Sequence, residues 1–193
     1  MGLPDRRSDN VNYDWKDVFR QSALLLLLMG FIGIIGGQVL HQMEETLLQF
    51  PVFLFLLPLM NDLGGNLGCV LASRLGSGFH SGIIDAFITD RELNENVLVT
   101  LIMGLVTYLS VGLAVAASSG ILPLGPTAMN LFIVVLGSGI IVTVGTALIT
   151  VAVSLISYKK KLDPDNITIP VLTTLADLLS IVSIFFMVWL VIL

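Results

Sequence analysis

The sequence contains few charged residues. Only 12% of its 193 residues are Asp, Glu, Lys or Arg, whereas soluble globular domains carry about 25%. Hydrophobic residues make up 55% of the chain. This composition excludes a soluble domain of this length. It predicts a multi-pass protein of the cell (plasma) membrane, most of which lies within the lipid bilayer.

Several patterns that would indicate other functions are missing. The single cysteine, Cys69, excludes an intrachain disulfide. No basic arm is present, so we expect no nucleic-acid partner. His41 and His80 lie outside the cores of the apolar segments and form no cluster with the spacing of a zinc site. These absences leave membrane functions as the main candidates.

Five apolar segments are long enough to cross a bilayer, since about 20 helical residues span its 30 Å hydrocarbon core. They follow a polar N-terminal tail, residues 1–22, and we group them as one transmembrane domain, residues 23–193. The fold class is therefore an all-α integral membrane protein with five transmembrane helices. Their predicted bounds are about residues 23–40, 50–73, 97–117, 127–158 and 167–193.

Lysine and arginine occur in three segments that a five-span topology places on the same side of the membrane. All nine lie in the N-terminal tail, in the connector between the second and third spans, or in the loop between the fourth and fifth spans. With five spans, these three segments face the same side of the membrane, and basic loops are cytoplasmic. We therefore predict a cytoplasmic N-terminus and a C-terminus outside the cell.

Polar residues interrupt the second span at membrane depth. This stretch begins at Pro58, where we expect a kink or a break because proline removes a helical hydrogen bond. An intramembrane aspartate costs about 2.5–3.5 kcal/mol on insertion scales, and each glycine weakens a helix by about 1 kcal/mol. A span that accepts both costs suggests a functional site, with candidates Asn61, Asp62, Gly64, Gly65 and Asn66.

The fifth span carries a second intramembrane carboxylate, Asp177. Thr173, Thr174 and Ser180 lie within one helical turn of it, so all four share a polar face. On the fourth span, hydroxyl residues also recur at helical spacing. This row has two open interpretations, helix packing or pore lining, and its pore-lining candidates are Thr143, Thr146 and Thr150.

The candidate ligands are mainly oxygen atoms. Carboxylates, carboxamides, hydroxyls and backbone carbonyls are hard ligands, which suit Mg²⁺, Ca²⁺ or Mn²⁺ better than zinc or copper. Mg²⁺ loses water reluctantly and is often held by one or two carboxylates. We therefore predict a divalent cation channel or transporter, with Mg²⁺ as the transported ion and Asp62 and Asp177 as metal-binding residues.

Two motifs resemble those of the MgtE-type magnesium transporters. Pro58 is followed eight positions later by the asparagine of a G-G-N triplet, Gly64 to Asn66, as in the second span of that family. The segment from Asp163-Pro164 through PVLTTLAD, which ends at Asp177, is similar to the family signature entering its fifth span. The LASRL segment, residues 71–75, resembles the solute-carrier branch. The resemblance covers about residues 20–193.

The resemblance implies a homodimer with its pore on the two-fold axis. It also implies that Asp177 of both subunits faces the ion, and that Asn66, Thr173 and the backbone oxygens around Gly64 and Gly65 line the same path. The family has a small residue where this chain has Asp62, whose carboxylate either adds negative charge to the pore entrance or faces a neighbouring helix. The bacterial members carry soluble sensor domains, so gating here would need the short loops or a separate regulatory subunit.

Two other functions are alternatives. The chain could be a non-catalytic membrane subunit of a larger assembly. An intramembrane aspartyl protease would use Asp62 and Asp177 as a pair of carboxylates that share a proton. Such proteases carry a G-x-G-D element that this sequence lacks. We therefore predict that the protein is not an enzyme.

Overall fold

The computed structural model describes residues 15–85, 87–119, 125–160 and 164–193. This part of the chain is helical and contains no β-strand. Its helices are α1 (Trp15–Gln42), α2 (Glu44–Gln49), α3 (Val52–Ser81), α4 (Arg91–Ser118), α5 (Ala128–Lys159) and α6 (Pro164–Val191). All except α2 are long and apolar enough to cross a membrane. The predicted all-α fold with five spanning helices is confirmed, while the orientation of the termini stays a prediction.

The helices extend beyond the predicted spans, because capping residues determine where a helix ends. Helix α3 continues to Ser81 and ends at Gly82, which has the left-handed φ of 69° that favours glycine. Helix α4 begins after Asp90, whose side chain accepts a hydrogen bond of 2.9 Å from the Leu93 amide. Helix α3 also runs without a break through Pro58. The connector between α3 and α4 is therefore short, residues 82–90.

Helices α3, α5 and α6 form the centre of the bundle. Helix α5 packs against α3, α4 and α6, while α6 also contacts α1 and α3. Fully buried side chains between these helices include Phe53, Met60, Tyr108, Val142 and Ile184. Helix α1 lies at the edge, where it packs on α6 and contacts α2. Since α3 and α6 are neighbours, the two helices that carry the predicted acidic residues lie side by side.

Candidate cation site

A line of polar side chains runs along the outer face of α3. Its members recur at steps of three or four residues, so they share one face of the helix. The line extends over 19 residues, and its 18 steps of 1.5 Å amount to about 27 Å, which approaches the thickness of the hydrocarbon core. We call it the α3 polar line: Asp62, Asn66, Cys69, Ser73, Ser77 and His80.

The α3 polar line is open to the surroundings of the single chain. Five of its six side chains are exposed and Cys69 is half-buried. The opposite face of α3 is buried and includes Met60, Gly64, Leu71 and Leu75. A carboxylate and a carboxamide are unfavourable in contact with lipid tails, so this face requires either water or another protein surface in a membrane.

Asp177 is exposed on the neighbouring helix α6. Among the described residues, its carboxylate has no hydrogen bond and no ion pair. The nearby hydroxyls of Thr173 and Thr174 are half-buried and donate to the Pro170 carbonyl, at 3.2 and 3.0 Å. The Asp177 carboxylate is therefore available for a ligand from outside the chain.

The packing of α3 against α6 brings the two acidic residues to the same depth. A Cβ atom at Gly65 would lie 3.9 Å from Thr173 Cγ2. Ser180 Oγ lies 3.3 Å from the Met60 carbonyl oxygen. Asp177 is four residues after Thr173 and three before Ser180, so the antiparallel register places it level with residues 61–62. Asp62 and Asp177 thus lie at one level on the exposed faces of adjacent helices.

A model of the MgtE family, described as divalent cation transporters, matches residues 57–187, which include α5, nearly all of α3 and α6, and both acidic positions. The chain belongs to the MgtE family. The predicted membership is therefore confirmed, and so is the multi-pass membrane location. Because MgtE proteins are transporters, the chain is not an enzyme, and the aspartyl protease alternative is wrong.

The Bacillus subtilis (strain 168) protein named "Magnesium transporter MgtE" is 27% identical to this chain over 170 residues. The aligned region covers 86% of this chain and 35% of the relative. The chain therefore spans about a third of the length of that relative. No solved structure matches the chain.

The other predicted residues of this MgtE chain have several different surroundings. Gly64 and Gly65 are buried at the contacts of α3 with α5 and α6. Ser180 is also buried, and its hydroxyl donates to the Met60 carbonyl. Asn61 is half-buried, and its Oδ1 atom has no hydrogen-bond partner among the described residues. Among these remaining predicted residues, Asn66 is the one that is exposed as Asp62 is.

The hydroxyl row of α5 lies inside the helix bundle. Thr143, Thr146 and Thr150 are buried. Each hydroxyl donates to a carbonyl of its own helix four residues earlier, at 2.8, 2.7 and 2.7 Å. Thr143 also packs directly on Gly104 of α4. Of the two interpretations left open by the sequence, this geometry favours helix packing.

The described part of one MgtE chain contains no group of three or more His, Cys, Asp or Glu residues that could hold a metal ion. Asp62 and Asp177 supply two carboxylates, and Asn66 adds one amide oxygen. Mg²⁺ requires six oxygen ligands in octahedral geometry and often keeps several waters. Two carboxylates suit an ion that retains water, or an ion that also binds a second copy of the site.

Sequence reasoning overlooked four members of the α3 polar line. Cys69, Ser73, Ser77 and His80 were not candidates, although they continue the spacing that starts at Asp62 and Asn66. The signal was present, because the steps from residue 62 are 4, 3, 4, 4 and 3. The predicted span ended at residue 73, so Ser77 and His80 lay outside the predicted helix.

Proposed function

We propose that this chain conducts Mg²⁺ across the membrane along the α3 polar line and past Asp177. The observation that carries this proposal is the exposure of Asp62 and Asp177 at one depth on adjacent helices. Intramembrane carboxylates are rare and mark ion or proton pathways, because their insertion is unfavourable. Membership of a divalent cation transporter family supports the same conclusion.

The choice of Mg²⁺ follows from ligand chemistry and from the relative. Asp62, Asn66 and Asp177 supply hard oxygen atoms, which suit Mg²⁺ better than softer metals. The matched Bacillus subtilis protein is named a magnesium transporter. If the basic loops are cytoplasmic, a membrane potential that is negative inside favours entry of a divalent cation by about 4.6 kcal/mol per 100 mV, twice the value for one charge.

We further propose that a second copy of the chain covers the α3 polar line. A two-fold axis beside this face would bring two copies of Asp62 and Asp177 around one path. The four carboxylates would then face water and the ion, and the exposed polar side chains would be kept from lipid. The proposal accounts for both the exposure of the line and the small number of ligands in one chain.

The transport proposal is tested with the purified chain in liposomes that contain a Mg²⁺ indicator. We expect Asp177→Asn to lower the initial rate of uptake about tenfold or more, because each 1.4 kcal/mol of lost attraction is a factor of ten. Glu95→Gln is the matched control, since Glu95 is an exposed acid that pairs with Arg91 near the start of α4. Unchanged uptake by Asp177→Asn would refute the proposal, and flux without partners would exclude the accessory-subunit alternative.

The dimer proposal needs a separate test, for which the single native cysteine is convenient. In a Cys69→Ala background, Ser73→Cys places a thiol on the α3 polar line, and Leu148→Cys places one on the exposed face of α5. Oxidation in the membrane should cross-link two Ser73→Cys chains and leave Leu148→Cys chains as monomers. Cross-linking at position 148 but not at position 73 would contradict the proposed axis.

A further inference from the structure

In the part of the chain that the structure describes, few side-chain hydrogen bonds connect the spanning helices, and those that do involve α3. Within the described residues, Tyr108 Oη and Ser180 Oγ both donate to the Met60 carbonyl, at 3.4 and 3.3 Å. Near the other end of α3, Arg74 Nη1 donates to Asn96 Oδ1 at 3.3 Å. The remaining side-chain bonds of the spanning helices stay within one helix or its caps. Helix α3 is therefore the helix that side-chain hydrogen bonds connect to its neighbours α4 and α6.

The two bonds to Met60 converge on one oxygen atom from two different helices. Tyr108 belongs to α4 and Ser180 to α6, and both side chains are fully buried. Each distance is longer than the usual 2.7–2.8 Å of a hydroxyl hydrogen bond, so each bond by itself is weak. Both hydroxyls are buried, so water cannot replace either bond. We call this arrangement the Met60 clamp.

Gly64 lies beside the Met60 clamp, one turn further along α3. A Cβ atom at this position would lie 3.5 Å from Ser180 Oγ and 3.7 Å from Tyr108 Oη. It would also lie only 2.6 Å from Val142 Cγ1. The two hydroxyls would therefore be in ordinary contact with a methyl group at Gly64, and it is Val142 of α5 that needs the absence of a side chain there.

The Met60 clamp lies two residues before Asp62, on the opposite side of α3. Successive residues turn by 100°, so an inward Met60 places Asp62 about 200° away, on the exposed face. At a radius of 5–6 Å, a rotation of α3 by 20° would move a side chain by about 2 Å. Binding sites require their groups within about 0.5 Å of the productive position. The rotation that the clamp fixes therefore matters for the ion.

We infer that Tyr108 and Ser180 are positioning residues, which hold Asp62 and Asn66 at the correct angle beside Asp177. The inference rests on the proposed transport function and adds how the site is kept in register. Neither hydroxyl touches the ion, because both are buried behind α3. Their effect should appear in the apparent affinity for the cation and less in the amount of folded protein.

The test compares Tyr108→Phe, Ser180→Ala and the double variant of the full chain in liposomes. Each single change should raise the KM for Mg²⁺ about twofold to threefold, because the remaining hydroxyl can shorten its bond to Met60. The double variant should raise KM about tenfold, more than the product of the single effects. Vmax should change less than KM, and the ratio of Mg²⁺ to Mn²⁺ uptake should shift.

Two further variants separate positioning from general packing. Ser180→Thr keeps a hydroxyl and should restore most of the affinity that Ser180→Ala loses. Ser183→Ala is the matched control, since Ser183 is a buried serine one turn away whose hydroxyl donates only to the Ser180 carbonyl, at 3.0 Å. It should leave KM at the wild-type value.

A double variant with the wild-type KM would overturn the inference, as would a loss of Vmax at constant KM. If the double variant does not reach the membrane, the KM values of Ser180→Ala, Ser180→Thr and Ser183→Ala test the inference instead. A wild-type KM for Ser180→Ala would then overturn it. Asp177→Asn is measured in the same series. If it transports normally, the proposed function fails; if it is inactive while the clamp variants keep the wild-type KM, only this inference fails.

Discussion

Replacing Gly64 by alanine should destabilise the protein, whereas the same change at Gly65 should be tolerated. Both glycines are buried on α3 and are adjacent in sequence. A Cβ atom at Gly64 would lie 2.6 Å from Val142 Cγ1, a separation that side chains do not tolerate. At Gly65 the nearest atom, Thr173 Cγ2, is 3.9 Å away, which is an ordinary contact.

The size of the effect follows from two opposing contributions. Overpacking a buried site costs about 1–3 kcal/mol, because neighbouring side chains and backbone must move. Alanine regains about 0.5–1 kcal/mol, since glycine loses more conformational freedom in a helix. The expected net loss at Gly64 is about 1–2 kcal/mol. In a chain of this length, that corresponds to a melting temperature lower by roughly 2–8 °C. At Gly65 only the favourable contribution remains.

Thermal unfolding of the purified variants in detergent micelles measures this difference. Val142→Ala combined with Gly64→Ala should recover part of the lost stability, because the shortened side chain makes room for the new methyl group. Equal melting temperatures for the two alanine variants would refute the packing argument.

Three further predictions concern other parts of the chain. The hydrogen bond from the Leu93 amide lowers the pKa of Asp90. The stabilisation of α4 by this carboxylate is therefore complete above the unfolded pKa and is lost as the pH falls through the lower folded value. The melting temperatures of wild type and Asp90→Ala should differ between pH 5 and 8 and begin to converge only as the pH falls below about 4. Thr146→Val and Thr150→Val should retain Mg²⁺ uptake, because these buried hydroxyls bond only to their own helix. Loss of uptake by a variant that folds normally would favour the pore-lining interpretation. A membrane-impermeant thiol reagent should slow uptake through wild-type protein but not through Cys69→Ser, and Mg²⁺ should protect; a reagent without effect on either would place Cys69 off the path.

The sequence was sufficient for the architecture because the membrane restricts the choices. Hydropathy alone identified the five spans, since a chain in lipid must satisfy its backbone within helices. The spacing of Asp62 and Asn66 and the composition around Asp177 identified polar faces on α3 and α6, which are neighbours in the structure. The register between α3 and α6 was not predictable, because it depends on close contacts such as Leu172 against Gly68, which hydropathy does not specify.

Helical spacing also cannot show in which direction a polar face points. The hydroxyl row of α5 and the α3 polar line both recur at steps of three and four, yet the first is buried and the second is exposed. A threonine can donate to a carbonyl of its own helix, as Thr143 and Thr146 do, and therefore needs no polar neighbour. Burying such a residue between helices leaves no group unsatisfied.

A carboxylate cannot form a hydrogen bond of this kind within its own helix. It only accepts hydrogen bonds, and the backbone groups that side chains can reach inside a helix are carbonyls, which are acceptors too. Asp62 and Asp177 must therefore find donors outside their helices, from water or from hydrated ions. On a membrane helix, a face that contains a carboxylate thus indicates contact with water. A face that carries only hydroxyls is compatible with water or with packing against another helix. This distinction supports the proposal that α3 and α6, and not α5, border the ion path.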